Sequence, residues 1–211
     1  MNFFRKRALL TVSAVAVAAL ALTGCATNNS GASQGGDDAT IRIGSLYEPV
    51  NLSNVAGGGQ GVTEALTGNV YESLFRLNDD GSTSPLLATD TQVSDDGLTY
   101  TFKLRKGVKF SDGANFDSAA VKFSFERAKD AKSTNKAKGA VFNNISHIST
   151  PDAHTVVLVL TNPDGNFLFR MGENTAVILH PDSAANAATK PVGTGPYKLD
   201  SWAKGTAVTL S

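Results

Sequence analysis

An α/β fold built around a mixed sheet is what this chain predicts, and three stretches carry the prediction. In the first, Leu98, Tyr100, Phe102 and Leu104 alternate with Thr99, Thr101, Lys103 and Arg105. That period of two is a half-buried strand, and Asp96-Gly97 ahead of it is a turn dipeptide that closes a hairpin. In the second, Asp117 stands as an N-cap before Ser118–Ala128, where Val121, Phe125 and Ala128 fall on one helical face. In the third, Thr155–Leu160 puts Val157 and Val159 on one side and Val156, Leu158 and Leu160 on the other. Apolar residues on both sides predict a strand buried on both faces.

At 211 residues the chain is long enough for a domain with a real core. Arg5-Lys6-Arg7 followed by the apolar run Ala8–Leu22 is a basic n-region and an h-region. As a helix that run is about 22 Å long, short of the roughly 30 Å hydrocarbon core. Residues 1–24 therefore predict a secretory signal rather than a membrane span. The run ends in Leu22-Thr23-Gly24-Cys25, which resembles the bacterial lipobox and implies that Cys25 becomes the lipidated first residue. It is the only cysteine, so no internal disulfide forms. The formal net charge is zero, and removing the three basic leader residues leaves the mature part about three charges negative. Such a balance excludes a nucleic-acid binder. Residues 25–39, rich in Asn, Ser, Gly and Gln with Asp37 and Asp38, read as a disordered tether.

The body is expected over 40–211. Ile41–Ser45 alternates as a short strand, and Pro49 blocks a helix in the Tyr47–Leu52 stretch that follows. Gly57-Gly58-Gly59-Gln60-Gly61 lacks the Lys-Ser/Thr of a phosphate loop and reads instead as a flexible helix entry, whose N–H groups are free to meet a ligand carboxylate. Val62, Leu66, Val70 and Leu74 recur every four residues and predict a helix from about Val62 to Phe75. The acids Asp79-Asp80 and Asp95-Asp96 lead into Gly turns, where Asp serves local hydrogen bonding rather than acid–base work. Lys129–Gly139 reads as a helix end and loop with a solvated basic face. Ile145–Ser149 and Ala176–Leu179 read as further strands, Phe167–Phe169 as a short helix, and Val208 and Leu210 as a final strand. The histidines His147, His154 and His180 have no metal-ligand spacing, and no nucleophile–base constellation stands out, so neither a metal, a cofactor nor an enzyme is expected.

Several motifs resemble one family. They are Asp96-Gly97-Leu98-Thr99-Tyr100-Thr101-Phe102, Leu104-Arg105-Lys106-Gly107-Val108-Lys109-Phe110, Asp112-Gly113 and Val121-Lys122-Phe123-Ser124. To these add Tyr71-Glu72-Ser73-Leu74-Phe75 and Gly193-Thr194-Gly195-Pro196-Tyr197. Together they look like the family 5 extracellular solute-binding proteins, the oligopeptide, dipeptide and nickel receptors of ABC importers. Ala120 departs from the pattern, where many members carry an acid. The resemblance implies a lobe of a type II periplasmic-binding-protein-like fold, incomplete at the C-terminus because family members are well over twice as long. The implied function is a non-enzymatic, lipid-anchored receptor outside the cytoplasm. It would capture a peptide or other small solute for an ABC permease and ATPase complex. The resemblance places Tyr47, Glu48 and Asn51, after the first strand, at the ligand cleft. It also places Phe142 and Asn143, after the capped helix, at the cleft border. His180 joins them as the end of a predicted strand before Pro181. The acid that binds the ligand ammonium is expected in the part beyond Ser211. The competing reading is a surface adhesin or scaffold lipoprotein without a transport role.

Overall fold

The structure, a computed structural model, describes residues 40–53 and 59–211. The predicted signal, Cys25 and the tether lie outside the described residues. The chain divides into Met1–Ile43 and Gly44–Ser211. Residues 40–45 form no strand, and Ile41 and Ile43 are both exposed. Alternating side chains alone do not make a strand, because its N–H and C=O groups also need a ladder partner.

The first regular element is helix α1 (Gln60–Leu66), half the length expected. Gly68 takes a φ of 77°, and the N–H groups of Val70 and Tyr71 both reach the Leu66 carbonyl. Thr67-Gly68-Asn69 is therefore a helix stop, with glycine in the left-handed conformation just past the end. Val70 and Leu74 are still fully buried, but as loop residues rather than as a helical stripe.

Next come β1 (Phe75–Leu77) and β2 (Thr83–Pro85), a small antiparallel pair. Then follow β3 (Ala88–Val93), β4 (Thr99–Leu104), helix α2 (Ser118–Lys129), β5 (Ile145–Asp152) and β6 (Thr155–Leu160). The four strands form one sheet in the order β3-β4-β6-β5, each neighbouring pair antiparallel. Asp96 makes the β3–β4 turn as its neighbours predict. Its carboxylate accepts from the Leu98 N–H at 2.9 Å and the Ser94 hydroxyl at 2.5 Å. Those bonds hold it below the ordinary carboxylate range, as bonds from Ser82 do for Asp80.

Asp117 caps α2, accepting from Ala119 N–H at 2.9 Å and Ala120 N–H at 3.3 Å. A cap of this kind is worth about 1 kcal/mol. Helix α2 packs against β5 and β6, and its Val121, Phe125 and Ala128 share one core with Phe102, Val156 and Leu158, which are fully buried. Strand β6 is central but one-sided: Val157 and Val159 are only half-buried. Their cross-strand neighbours are Thr101 and Ser149, and Thr99 and His147, so no apolar layer forms on that face.

Helix α3 (Phe167–Arg170) and the hairpin of β7 (Leu199–Ala203) and β8 (Ala207–Leu210) complete the described α-helices and strands, with short 3-10 turns at Phe142–Asn144, Asn174–Ala176 and Ala184–Asn186. Ala176–Leu179 is not a strand. Ala176 ends a short 3-10 helix (Asn174–Ala176), and Val177–Leu179 is a buried extended segment satisfied singly, Ile178 N–H on the Glu72 carbonyl at 2.8 Å and Leu179 N–H on the Ser124 hydroxyl at 2.9 Å. Ser124 in turn donates to the Ala120 carbonyl, so the far face of α2 fastens this segment through a hydroxyl that is itself satisfied. Val177 and Leu179 join Leu52, Val62, Leu66, Val70 and Tyr71 in a second, smaller core.

Candidate functional site

The second core is framed by two places where backbone runs against backbone. Gly193 and Gly195 cross over Asn69–Tyr71, with Gly195 N–H on the Val70 carbonyl and Tyr197 N–H on the Asn69 carbonyl, both at 3.0 Å. A Cβ on Gly193 would sit 1.9 Å from the Val70 oxygen, and one on Gly195 would sit 2.3 Å from the Asn69 oxygen. Neither glycine has a positive φ. They are required for close approach, not for unusual backbone angles. Thr194 between them donates to a Glu72 carboxylate oxygen at 2.8 Å, and Ser111 N–H reaches the Gly193 carbonyl at 2.9 Å.

The second crossing holds the loop that carries Tyr47, Glu48 and Asn51. A Cβ on Gly61 would meet the Glu48 carbonyl carbon at 2.4 Å, the Pro49 nitrogen at 2.5 Å and the Tyr47 oxygen at 2.7 Å. The start of α1 is thus packed under this loop, while Gly57 and Gly58 of the glycine run lie outside the described residues. Asn51 accepts from the Ser53 N–H at 2.8 Å in a local turn, and Leu52 N–H bonds the Ala188 carbonyl at 2.9 Å. The phenol of Tyr71 donates to the Leu52 carbonyl at 3.1 Å, and its burial pushes the phenol well above its ordinary range. Glu48 accepts from the Gly205 N–H in the β7–β8 turn. Tyr47 remains 55% exposed, beside exposed Leu46 and Val50.

The other residues singled out from the sequence lie in different settings. His180 packs over the Phe110 ring, centroids 5.0 Å apart, with Nδ1 2.8 Å from an Asp112 carboxylate oxygen. Its Nε2 is 4.0 Å from Asp182. Phe142 is 1% exposed in the main core, its ring 5.6 Å from that of Phe125, while Asn143 beside it is exposed. The structure therefore brings Tyr47, Glu48 and Asn51 together on one anchored loop. It ties His180 to the Phe110–Asp112 turn, and keeps Phe142 within the hydrophobic core. Sequence reasoning missed the positioning groups Gly61, Thr194, Glu72 and Ser124. The signals were present as two separate motifs, Tyr71-Glu72 and Gly193-Thr194-Gly195, but nothing in either one names the other as its partner.

Known proteins match this chain in sequence and in fold. The family model described as bacterial extracellular solute-binding proteins, family 5 Middle, matches residues 82–211. The glutathione-binding protein GsiB of Salmonella paratyphi A is 33% identical over 172 residues, covering 78% of this chain and 32% of that protein. Among solved structures, the PBP AgaA of A. tumefaciens R10 in complex with agropinic acid superposes with a TM-score of 0.71. It is 34% identical, covering 78% of this chain and 34% of that one. DppA from Helicobacter pylori, an ABC transporter-associated periplasmic binding protein in complex with the peptide STSA, gives a TM-score of 0.70 at 31% identity. There the shares are 77% of this chain and 37% of that one. The chain thus spans about a third of the length of the relatives it matches.

Proposed function

The chain belongs to the family 5 bacterial extracellular solute-binding proteins, and from that premise we propose that it captures peptides or related small solutes outside the cytoplasm for an ABC permease and ATPase complex. Members of this family bind and deliver; they are not enzymes. The observation that carries the reading for this chain is the loop Tyr47–Asn51. Its backbone is pinned over Gly61 and its ends are tied to Gly205 and Ala188, yet the Tyr47 ring is left open. A rigid backbone presenting an exposed aromatic is a contact surface that binds with little loss of conformational freedom. In this proposal Tyr47 packs on the solute and Asn51 and Glu48 supply polar contacts at its edge. GsiB, named for glutathione, and DppA, solved with a peptide, support peptides as the solute class.

Calorimetric titration of the full gene product with glutathione and with a mixed di- and oligopeptide pool tests this. Saturable binding is expected, weakened about tenfold by Tyr47→Ala without a change in unfolding midpoint. Flat titrations with all of these solutes would overturn the peptide assignment.

The lipobox-like Leu22-Thr23-Gly24-Cys25 supports anchoring of the protein to the membrane through a lipid on Cys25. Labelled palmitate supplied to expressing bacteria is expected to enter the wild-type protein and not a Cys25→Ala variant. Equal labelling of the two removes the anchor from the proposal.

A further inference from the structure

We propose that a groove at the end of the four-stranded sheet, away from the loop assigned to solute capture, binds a phosphate group. Three consecutive cationic positions of one stretch line it: Lys103, Arg105 and Lys106. Pairing of β4 with β6 sets Lys103 opposite Thr155, and Leu104 N–H bonds the His154 carbonyl at 2.8 Å. The β5–β6 turn, with Asp152 and His154, therefore forms the facing wall.

Within the lining itself three cations stand against one carboxylate. Among the described residues, none of the ion pairs involves Lys103, Arg105 or Lys106. Asp152 is the only carboxylate in the lining; it accepts from the Thr155 hydroxyl at 2.8 Å and the His154 N–H at 2.7 Å. These bonds, with the nearby Lys103 charge, hold it below the ordinary carboxylate range, so Lys103 is partly offset while Arg105 and Lys106 are not. Two further acids stand near. Asp117 is occupied by the α2 N–H groups, and Asp90 is the cross-strand neighbour of Lys103 without a described ion pair to it. Two of the three cations are also held in place. Lys103 Nζ donates to the Thr155 hydroxyl at 2.9 Å, and Arg105 Nε donates to the Leu86 carbonyl at 2.9 Å. That single bond fixes the guanidinium plane and leaves its terminal N–H pairs without a described partner. Such a fork matches two oxygens of one phosphate, while the lysines add point charge. One carboxylate would leave most of the positive charge unmatched; a phosphate, with up to two negative charges, matches it better. The phosphate could belong to a free solute or to a lipid headgroup. The inference does not depend on the importer reading, because no residue of the solute loop takes part.

Calorimetry of the full chain with inorganic phosphate at low and high salt is the test, joined by co-sedimentation with phosphatidylglycerol and phosphatidylcholine vesicles. Phosphate binding is expected to fall about tenfold in Arg105→Gln/Lys106→Gln. Lys106→Gln alone should weaken it in the same direction, and its side chain makes no described hydrogen bond whose loss would unfold the protein. A charge-matched Lys132→Gln/Lys136→Gln control, in the loop after α2, should stay within about twofold of wild type. Groove-dependent binding of both phosphate and phosphatidylglycerol vesicles identifies a headgroup; groove-dependent binding of phosphate alone identifies a free solute. Absence of saturable binding to either, or equal weakening in the groove and control variants, overturns the proposal.

Discussion

Gly193→Ala is expected to lower the urea unfolding midpoint steeply, by an amount corresponding to at least about 3 kcal/mol. The added Cβ would lie 1.9 Å from the Val70 carbonyl oxygen, and no rotamer change relieves a clash between two backbones. Either the Gly193–Tyr197 segment lifts from Asn69–Tyr71 or the Val70 peptide turns away. The first route breaks the Gly195–Val70 and Tyr197–Asn69 hydrogen bonds, and the Thr194–Glu72 bond with them. The second pulls fully buried Val70 and Tyr71 out of the smaller core. Total stabilities of domains are only about 5–15 kcal/mol, so a loss on this scale leaves little margin. Gly165→Ala is the control. That glycine has open space around its Cβ direction and no positive φ, and the change should stay within about 0.5 kcal/mol of wild type. Equal midpoints for the two variants would mean that the crossing over Asn69–Tyr71 is not as tight as described.

The second large effect separates core from contact surface. Phe142→Ala is expected to cost about 3–5 kcal/mol, because the ring is 1% exposed and packs on Phe125 beneath α2. Its immediate neighbour Asn143 is exposed, and Asn143→Ala should leave the midpoint within about 0.5 kcal/mol. Paired with Tyr47→Ala, the result is a double dissociation: Tyr47 is read in affinity, Phe142 in stability. A Phe142→Ala protein that kept its midpoint but lost solute binding would assign the ring to the site instead.

Much of the fold is readable because the forces that set it are local. Asp96-Gly97 turns the chain, the alternation through Phe102 and Leu104 makes β4, and Asp117 caps α2; each involves neighbours within a few residues. Where reading failed, a local pattern had a rival. The fourfold spacing Val62–Leu66–Val70–Leu74 is a helical period, but Gly68 ends the helix inside it, and burial then comes from loop packing. Val177 and Leu179 are apolar enough for a strand, yet the N–H groups of Ile178 and Leu179 find a lone carbonyl and a side chain rather than a ladder. Of the candidate site, the proposed contact residues Tyr47, Glu48 and Asn51 stand in one stretch of sequence. The groups that pin their loop, Gly61 and Gly205, were not legible from it, since the contacts span α1 and the final hairpin.

By itself the sequence determined the hairpin, the capped helix, the sheet they build and the motifs shared with one family. Periodicity, turn chemistry and capping act over a few residues and need no partner from elsewhere. Only the tertiary structure decided why Gly193 and Gly195 must be glycine, which carboxylate Thr194 meets, and that Phe142 packs while Tyr47 stays open. The glycine crossing and the Thr194–Glu72 bond depend on segments more than a hundred residues apart meeting closely, and all of these outcomes are set by how the cores close, not by any one stretch of chain.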